Sequence, residues 1–294
     1  MNNNTIYKFT EDSDFNVKTM FQAEQFASFK FNALTTADTD RRRMGFVVNT
    51  ISGEYLDEVQ VKGNTFHIVT IREQKKSPEK YLIDAQVADK KAQYLLETDK
   101  LPEKSLVKEW KDEATDVVLR ITIPKQPKDY IVAVRDDGVI FVEAKGKMVE
   151  DLTALIRKTI GTFPVIPFET DTPVTDFMDN MVSDGVKDVF TLGNKATLVD
   201  EEGINHQLSK GSLYDSDAED YVKNGMFVTS LALNYDGVVD FTLKDDFVLE
   251  GIKFDKDAFE EEDNSEAGTF LLQLDELNKV VNELISRVTP KQED

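Results

Sequence analysis

An α+β fold, built from antiparallel sheets with packed helices, is predicted by three observations. Residues 130–134 and 139–143 are extended apolar runs around Asp136-Asp137-Gly138, a strong hairpin signal. Residues 227–233, 238–243 and 248–254 are three more such runs, separated by Tyr235-Asp236-Gly237 and Lys244-Asp245-Asp246, and read as an antiparallel meander. Residues 149–160 and 273–288 instead carry apolar side chains at helical spacing. Strands joined by tight turns pair antiparallel, and helices with one apolar stripe then pack on the sheet.

Taken in order, residues 5–9 predict a short strand and residues 17–26 a short helix. Residues 45–51 and 65–71 predict strands, with His67 an ordinary strand residue of the second. Residues 78–98 combine long aliphatic side chains with few breakers, which predicts a helix; residues 104–118 predict another, with Trp110 on its apolar side. The 130–143 hairpin and the 149–160 helix follow, then the meander and the 273–288 helix before a polar tail. No long repeat and no low-complexity linker interrupts this order.

Composition bounds the function. With 294 residues the chain can bury a large core and hold one to three domains. No window approaches the ~18 uninterrupted apolar residues of a membrane span, and the polar MNNNT start does not resemble a signal peptide. The absence of cysteine removes disulfides and thiolate metal sites, so a cytoplasmic location is expected. The net charge is −21, unevenly spread. Residues 1–150, an N-terminal α+β half with the basic clusters, carry 23 Lys and Arg against 25 Asp and Glu. Residues 151–294, an acidic half with the meander and terminal helix, carry 12 against 31. Acidic blocks repel a phosphate backbone over a Debye length of about 8–10 Å. Any DNA contact must therefore gather its cations on one surface, drawn mainly from the first half. The acidic half is either a solvated exterior or a binding surface in its own right.

Catalytic chemistry finds little support, and no catalytic residue, metal ligand or cofactor is assigned. Asp136 and Asp137 with Glu143-Ala144-Lys145 resemble the acid and Glu-x-Lys elements of a magnesium nuclease. The aspartates fall in the hairpin turn, however, and strand rise puts Glu143 about 15–20 Å away. The acidic run from Asp257 to Glu266 lacks the alternating oxygen ligands of an EF-hand. His67 and His206 are the only histidines, and no GxxxxGK[ST] loop occurs. Basic clusters remain: Arg41, Arg42 and Arg43; Lys75 and Lys76 with Arg72 and Lys80; Lys90 and Lys91; Arg157 and Lys158. Such clusters bind phosphates by counterion release without reading sequence, or pair with neighbouring carboxylates as surface salt bridges.

The stretch DLTALIRKTIGTFPVIPF, residues 151–168, is the most distinctive in the chain. Leu152, Leu155, Ile156 and Ile160 follow helical spacing, and Gly161 stands where a C-cap belongs. Arg157 and Lys158 suit the negative end of the helix dipole. Pro164 and Pro167 then force an extended exit. This wording resembles the RdgC family of recombination-associated proteins. So do Met44-Gly45-Phe46 after the three arginines, YVKNGMFVTSLAL at residues 221–233, the segment 251–254 and the C-terminal helix. The resemblance spans residues 44–287, more closely in the second half than in the first.

The resemblance implies a two-fold dimer that closes into a ring or horseshoe around duplex DNA. It implies sequence-independent binding that limits access of the RecA recombinase, a nucleoid-associated location, and no cofactor. Candidate DNA contacts are then Arg41, Arg42, Arg43, Lys75, Lys76, Arg157, Lys158 and Lys210, the last in the position of a finger-tip lysine. A second reading keeps the scaffold but turns its acidic surface on a protein, as a phage-type inhibitor of a host nuclease or defence complex.

Overall fold

A computed structural model of the chain describes residues 2–10, 13–184, 188–209, 211–255, 257 and 265–288. The elements run β1 (Asn4–Phe9), α1 (Val17–Met20), α2 (Ala23–Ser28), β2 (Arg42–Val47), β3 (Asp57–Val61), β4 (Asn64–Lys75), α3 (Lys80–Thr98) and α4 (Lys104–Leu119). They continue with β5 (Lys128–Arg135), β6 (Val139–Val142), α5 (Lys147–Ile160), β7 (Val165–Pro167), α6 (Val174–Asp184), β8 (Phe190–Val199) and β9 (Asn205–Ser209). The last are α7 (Ala218–Lys223), β10 (Phe227–Tyr235), β11 (Val239–Lys244), β12 (Val248–Phe254) and α8 (Glu266–Val288). The fold is α+β with an open antiparallel sheet, as the turn chemistry predicts.

Two units form. The larger comprises Met1–Phe26, Val48–Val69 and Ile131–Asp294; the smaller comprises Ala27–Val47 and Thr70–Tyr130. Strands β1 and β6, from the first 150 residues, share a sheet with the meander. Both β4 and β5 run through the two units.

In the larger unit the strand order is β3-β4-β5-β6-β1-β12-β11-β10-β8-β9, with β7 on β1. Burial shows how each part is covered. All four residues of β6 are buried, so that strand is enclosed on both faces. In β11, Val239, Phe241 and Leu243 are buried while Asp240, Thr242 and Lys244 are not, so only one face is covered there. The cover comes from α6 and α8, whose Phe177, Met178, Leu277 and Val281 join Leu231, Phe241 and Leu243 in one core.

Local chemistry fixes the elements that the sequence predicts best. Gly138 closes the β5–β6 turn at φ +93°, and Gly161 ends α5 with its N–H on the Arg157 carbonyl at 2.9 Å. The prolines after it hold an extended strap that pairs Val165 with Phe9 and Pro167 with Tyr7. The helix predicted over 17–26 is instead two short ones. Phe21 leaves the helical region at ψ 118° because its ring packs against Phe26 and Phe163, with centroids 5.1 and 6.0 Å away. The strand predicted over 45–51 begins earlier and ends at Val47, and the one predicted over 65–71 extends to Asn64–Lys75.

The smaller unit pairs β2 with the second part of β4, from Arg42 opposite Lys75 to Val47 opposite Thr70. Its helices α3 and α4 form an antiparallel hairpin around Ile83, Val87, Ala114 and Val118, with Trp110 against them. Asp99 in the left-handed region (φ 53°) caps α3.

Candidate nucleic-acid interface

The pairing of β2 with β4 sets two basic clusters side by side, but most of those cations already have partners. Glu73 is 4% exposed and holds Arg42, with Lys75 Nζ at 3.1 Å and the Tyr130 hydroxyl at 3.4 Å. A buried carboxylate requires such compensation. One residue along, Arg43 pairs with Asp38 at 3.0 Å and with Asp40. Asp38 also accepts from the Thr35 N–H and hydroxyl at 2.7 and 2.8 Å. These bonds, with Arg43, hold its carboxyl down at about 2. Arg41 is exposed, with no carboxylate in ion-pair range among the described residues.

Lys76 is different again. It is 3% exposed, and its Nζ donates to the carbonyls of Thr36 (3.1 Å), Asp38 (2.6 Å) and Leu119 (2.9 Å). An ammonium has three donors, so none remains for a phosphate. The side chain pins the loop before Arg41 to the end of α4, where a cation suits the dipole. In the larger unit, Arg157 donates to the Phe163 carbonyl at 3.1 Å and closes the exit of α5; Lys158 is exposed beside it. Lys210 lies outside the described residues. Arg72 is paired with Asp129 at 2.6 Å, and Lys90 with Glu113.

Dividing the charge by unit changes its meaning. The smaller unit carries 17 Lys and Arg against 14 Asp and Glu, a net of +3. The larger carries 18 against 42, a net of −24. Within the smaller unit Lys104, Lys108 and Lys111 stand at i, i+4 and i+7 on α4, all exposed and without an ion pair among the described residues. That spacing puts three cations on one helix face, over about 10 Å at helical rise. KSLVKEWK carries the row in sequence at helical rather than adjacent spacing, so it forms a cluster only once the helix is wound.

The hairpin acids do not converge. Asp136 accepts from Lys18 at 2.7 Å and pairs with the buried His67 at 2.9 Å, and Asp137 is held by Arg135. Lys145 pairs with Glu250 at 2.8 Å, while Glu143 stands at the far end of β6 from the turn. His206 pairs with Asp200 at 3.1 Å. No group of three His, Asp or Glu among the described residues is placed to hold a metal ion. Most of the acidic run from Asp257 to Glu266 lies outside the described residues. No helix among the described residues is long and apolar enough to cross a membrane.

Comparison with known proteins decides the family. The model of a family described as "Putative exonuclease, RdgC" matches residues 1–289. The chain belongs to the RdgC family. Among curated relatives, the recombination-associated protein RdgC of Proteus mirabilis is 31% identical over 169 residues, 56% of each chain. That of Aeromonas hydrophila is 32% identical over 132 residues, 44% of each chain. The Salmonella paratyphi B protein of the same name is 27% identical over 264 residues, covering 85% of this chain and 82% of that one. The chain thus spans about half the length of the first two relatives and four-fifths of the third. The family assignment supports a role in recombination.

For this RdgC-family chain the glycine of Met44-Gly45-Phe46 has a steric reason. A Cβ built on Gly45 would lie 2.6 Å from Phe31 Cα and N. The backbone of residues 29–31 crosses β2 there, with the Phe31 N–H on the Phe46 carbonyl at 2.7 Å and the Phe46 N–H on the Phe29 carbonyl at 3.0 Å.

Proposed function

We propose that this RdgC-family protein is a non-enzymatic, sequence-independent duplex-DNA-binding dimer that modulates recombination by limiting RecA access, as a nucleoid-associated protein of the cytoplasm. One observation carries the reading. A unit with a net charge of +3 and an unpaired lysine row stands within a chain of −21. Free cations held at fixed spacing neutralise phosphates and release counterions, whatever the base sequence. The ring or horseshoe dimer agrees with exposed apolar residues at the tip of the α3–α4 hairpin, where Leu95, Leu96 and Leu101 are 44%, 88% and 81% exposed. A two-fold contact is self-complementary, so one such patch serves both protomers.

The test is an electrophoretic shift with unrelated linear duplexes across salt, beside light scattering. Binding at 50 mM salt that collapses by 200 mM, from a particle of twice the 33.3 kDa chain mass, is the expected result. No shift at 50 mM would sink the reading. The net charge of −24 on the larger unit would then favour an interaction protein that presents an acidic surface to a host nuclease or defence complex. In the same assay with magnesium, linear DNA should stay intact and Glu143→Gln should bind as the unaltered protein does. Degradation that this substitution abolishes would restore a metal-dependent nuclease.

A further inference from the structure

The larger unit is strongly acidic, yet one of its surfaces departs from that sign. Across β12, β11, β10, β8 and β9 the sheet has one face under α6 and α8 and another that carries mainly polar and small side chains. Register shows which residues share that second face. Lys244 lies opposite Ser230 and Ser230 opposite Thr197; Asp240 lies opposite Lys253 and Asn234; Lys195 lies opposite Ser209. Lys195, Lys244 and Lys253 have no ion pair among the described residues. Between Lys195 and Lys253 runs a groove of about 530 Å³, lined also by Gly193, Ala232, Asp240, Thr242 and Gly251; Lys244 stands outside it, beside Asp245 and Asp246. The groove is shallow-walled because Gly193, Ala232, Thr242 and Gly251 are small. A Cβ on Gly193 would come within 2.9 Å of the Ala232 Cβ, so the strands approach closely at that point.

We infer that this uncovered sheet face is a second phosphate-binding surface, which takes the sugar-phosphate backbone of the same duplex DNA. The inference rests on the proposed DNA-binding function and deepens it. Charge complementarity selects the occupant. The face presents three ammonium groups without an ion pair among the described residues, beside the Thr197 and Thr242 hydroxyls. Two of its acids are already engaged, Glu250 with Lys145 at 2.8 Å and Asp240 with the Asn234 amide at 2.8 Å. A protein partner would call for accessible aromatic or aliphatic anchors at the centre, and the large apolar residues that line the groove, Leu233 and Phe241, are buried in the core beneath it. Lys244 and Lys253 stand about 13 Å apart along the strand direction, as four residues of strand rise require. That distance suits separate phosphates better than one compact anion. Backbone contacts carry no base information, so the surface adds affinity without adding specificity.

The experiment uses the full chain with Lys195, Lys244 and Lys253 all changed to Ala, beside a Thr242→Glu variant that puts a carboxylate in the groove. Each lost phosphate contact flattens the slope of log affinity against log salt by ~0.9. The triple variant should lose ~2–3 of that slope and bind about a hundredfold more weakly at 0.1 M salt, equally for unrelated duplexes. Thr242→Glu should weaken binding with an unchanged urea midpoint. If the unaltered protein binds and both variants keep its slope and affinity, the inference fails while the proposed function stands. If the unaltered protein does not bind duplex at all, both fail together.

Discussion

Gly45→Ala is expected to cost the smaller unit about 3–5 kcal/mol, as much as the loss of a large core side chain. The new methyl would sit 2.6 Å from Phe31 Cα and N and 2.9 Å from the Lys30 carbonyl carbon. These are backbone atoms, and they cannot rotate away as a flexible side chain would. The crossing segment must therefore move, which loosens the two hydrogen bonds joining Phe46 to Phe29 and Phe31. Overpacking costs about 1–3 kcal/mol, and each buried group left unpaired about 1–3 kcal/mol more. The single tryptophan, Trp110, lies in this unit, so its fluorescence in urea reads the effect directly. A midpoint equal to that of the unaltered chain would show that the crossing is not a constraint.

The elements legible in the sequence are those whose geometry is decided within a few residues. The β5–β6 hairpin, the meander and the end of α5 each rest on a glycine at positive φ, Gly138, Gly237 and Gly161. Elements decided at longer range are less visible. In β8 the alternation breaks at Gly193-Asn194-Lys195, where the register to β10 shifts. The turn into β4 uses Lys62 at φ 41° before Gly63, a position where Asn or Asp gives the usual signal. In α6 the residues Val174, Phe177, Met178, Met181 and Val182 keep helical spacing, but Val, Thr, Asp and Asn mask it by low propensity. The basic clusters are equally local as sequence and equally non-local as function. Lys76 looks like its neighbour Lys75 until the Leu119 carbonyl, 43 residues on, accepts one of its hydrogen bonds. Arg43 looks like Arg41 until the loop brings Asp38 and Asp40 to it.

That difference between equal-looking cations sets the second large effect. Changing Lys104, Lys108 and Lys111 together to Ala should weaken duplex binding by about 10² to 10³ at 0.1 M salt and lower the salt slope by ~3. One phosphate contact contributes ~0.9 to the slope, or about eightfold in affinity at that salt, and three multiply. Changing Arg41, Arg42 and Arg43 to Ala also removes three charges, yet its slope should fall by only ~1. Arg42 is held by the buried Glu73 and Arg43 by Asp38 and Asp40, so Arg41 alone is free to meet a phosphate. The arginine variant should instead lose stability, because Glu73 keeps its burial and loses a partner. Alanine on the exposed face of α4 should leave the unfolding free energy from urea titration within ~0.5 kcal/mol of the unaltered chain. Equal slopes for the two variants would mean that proximity in sequence, rather than freedom from a carboxylate, decides which cations reach the DNA. The α4 row would then lose its claim to the interface.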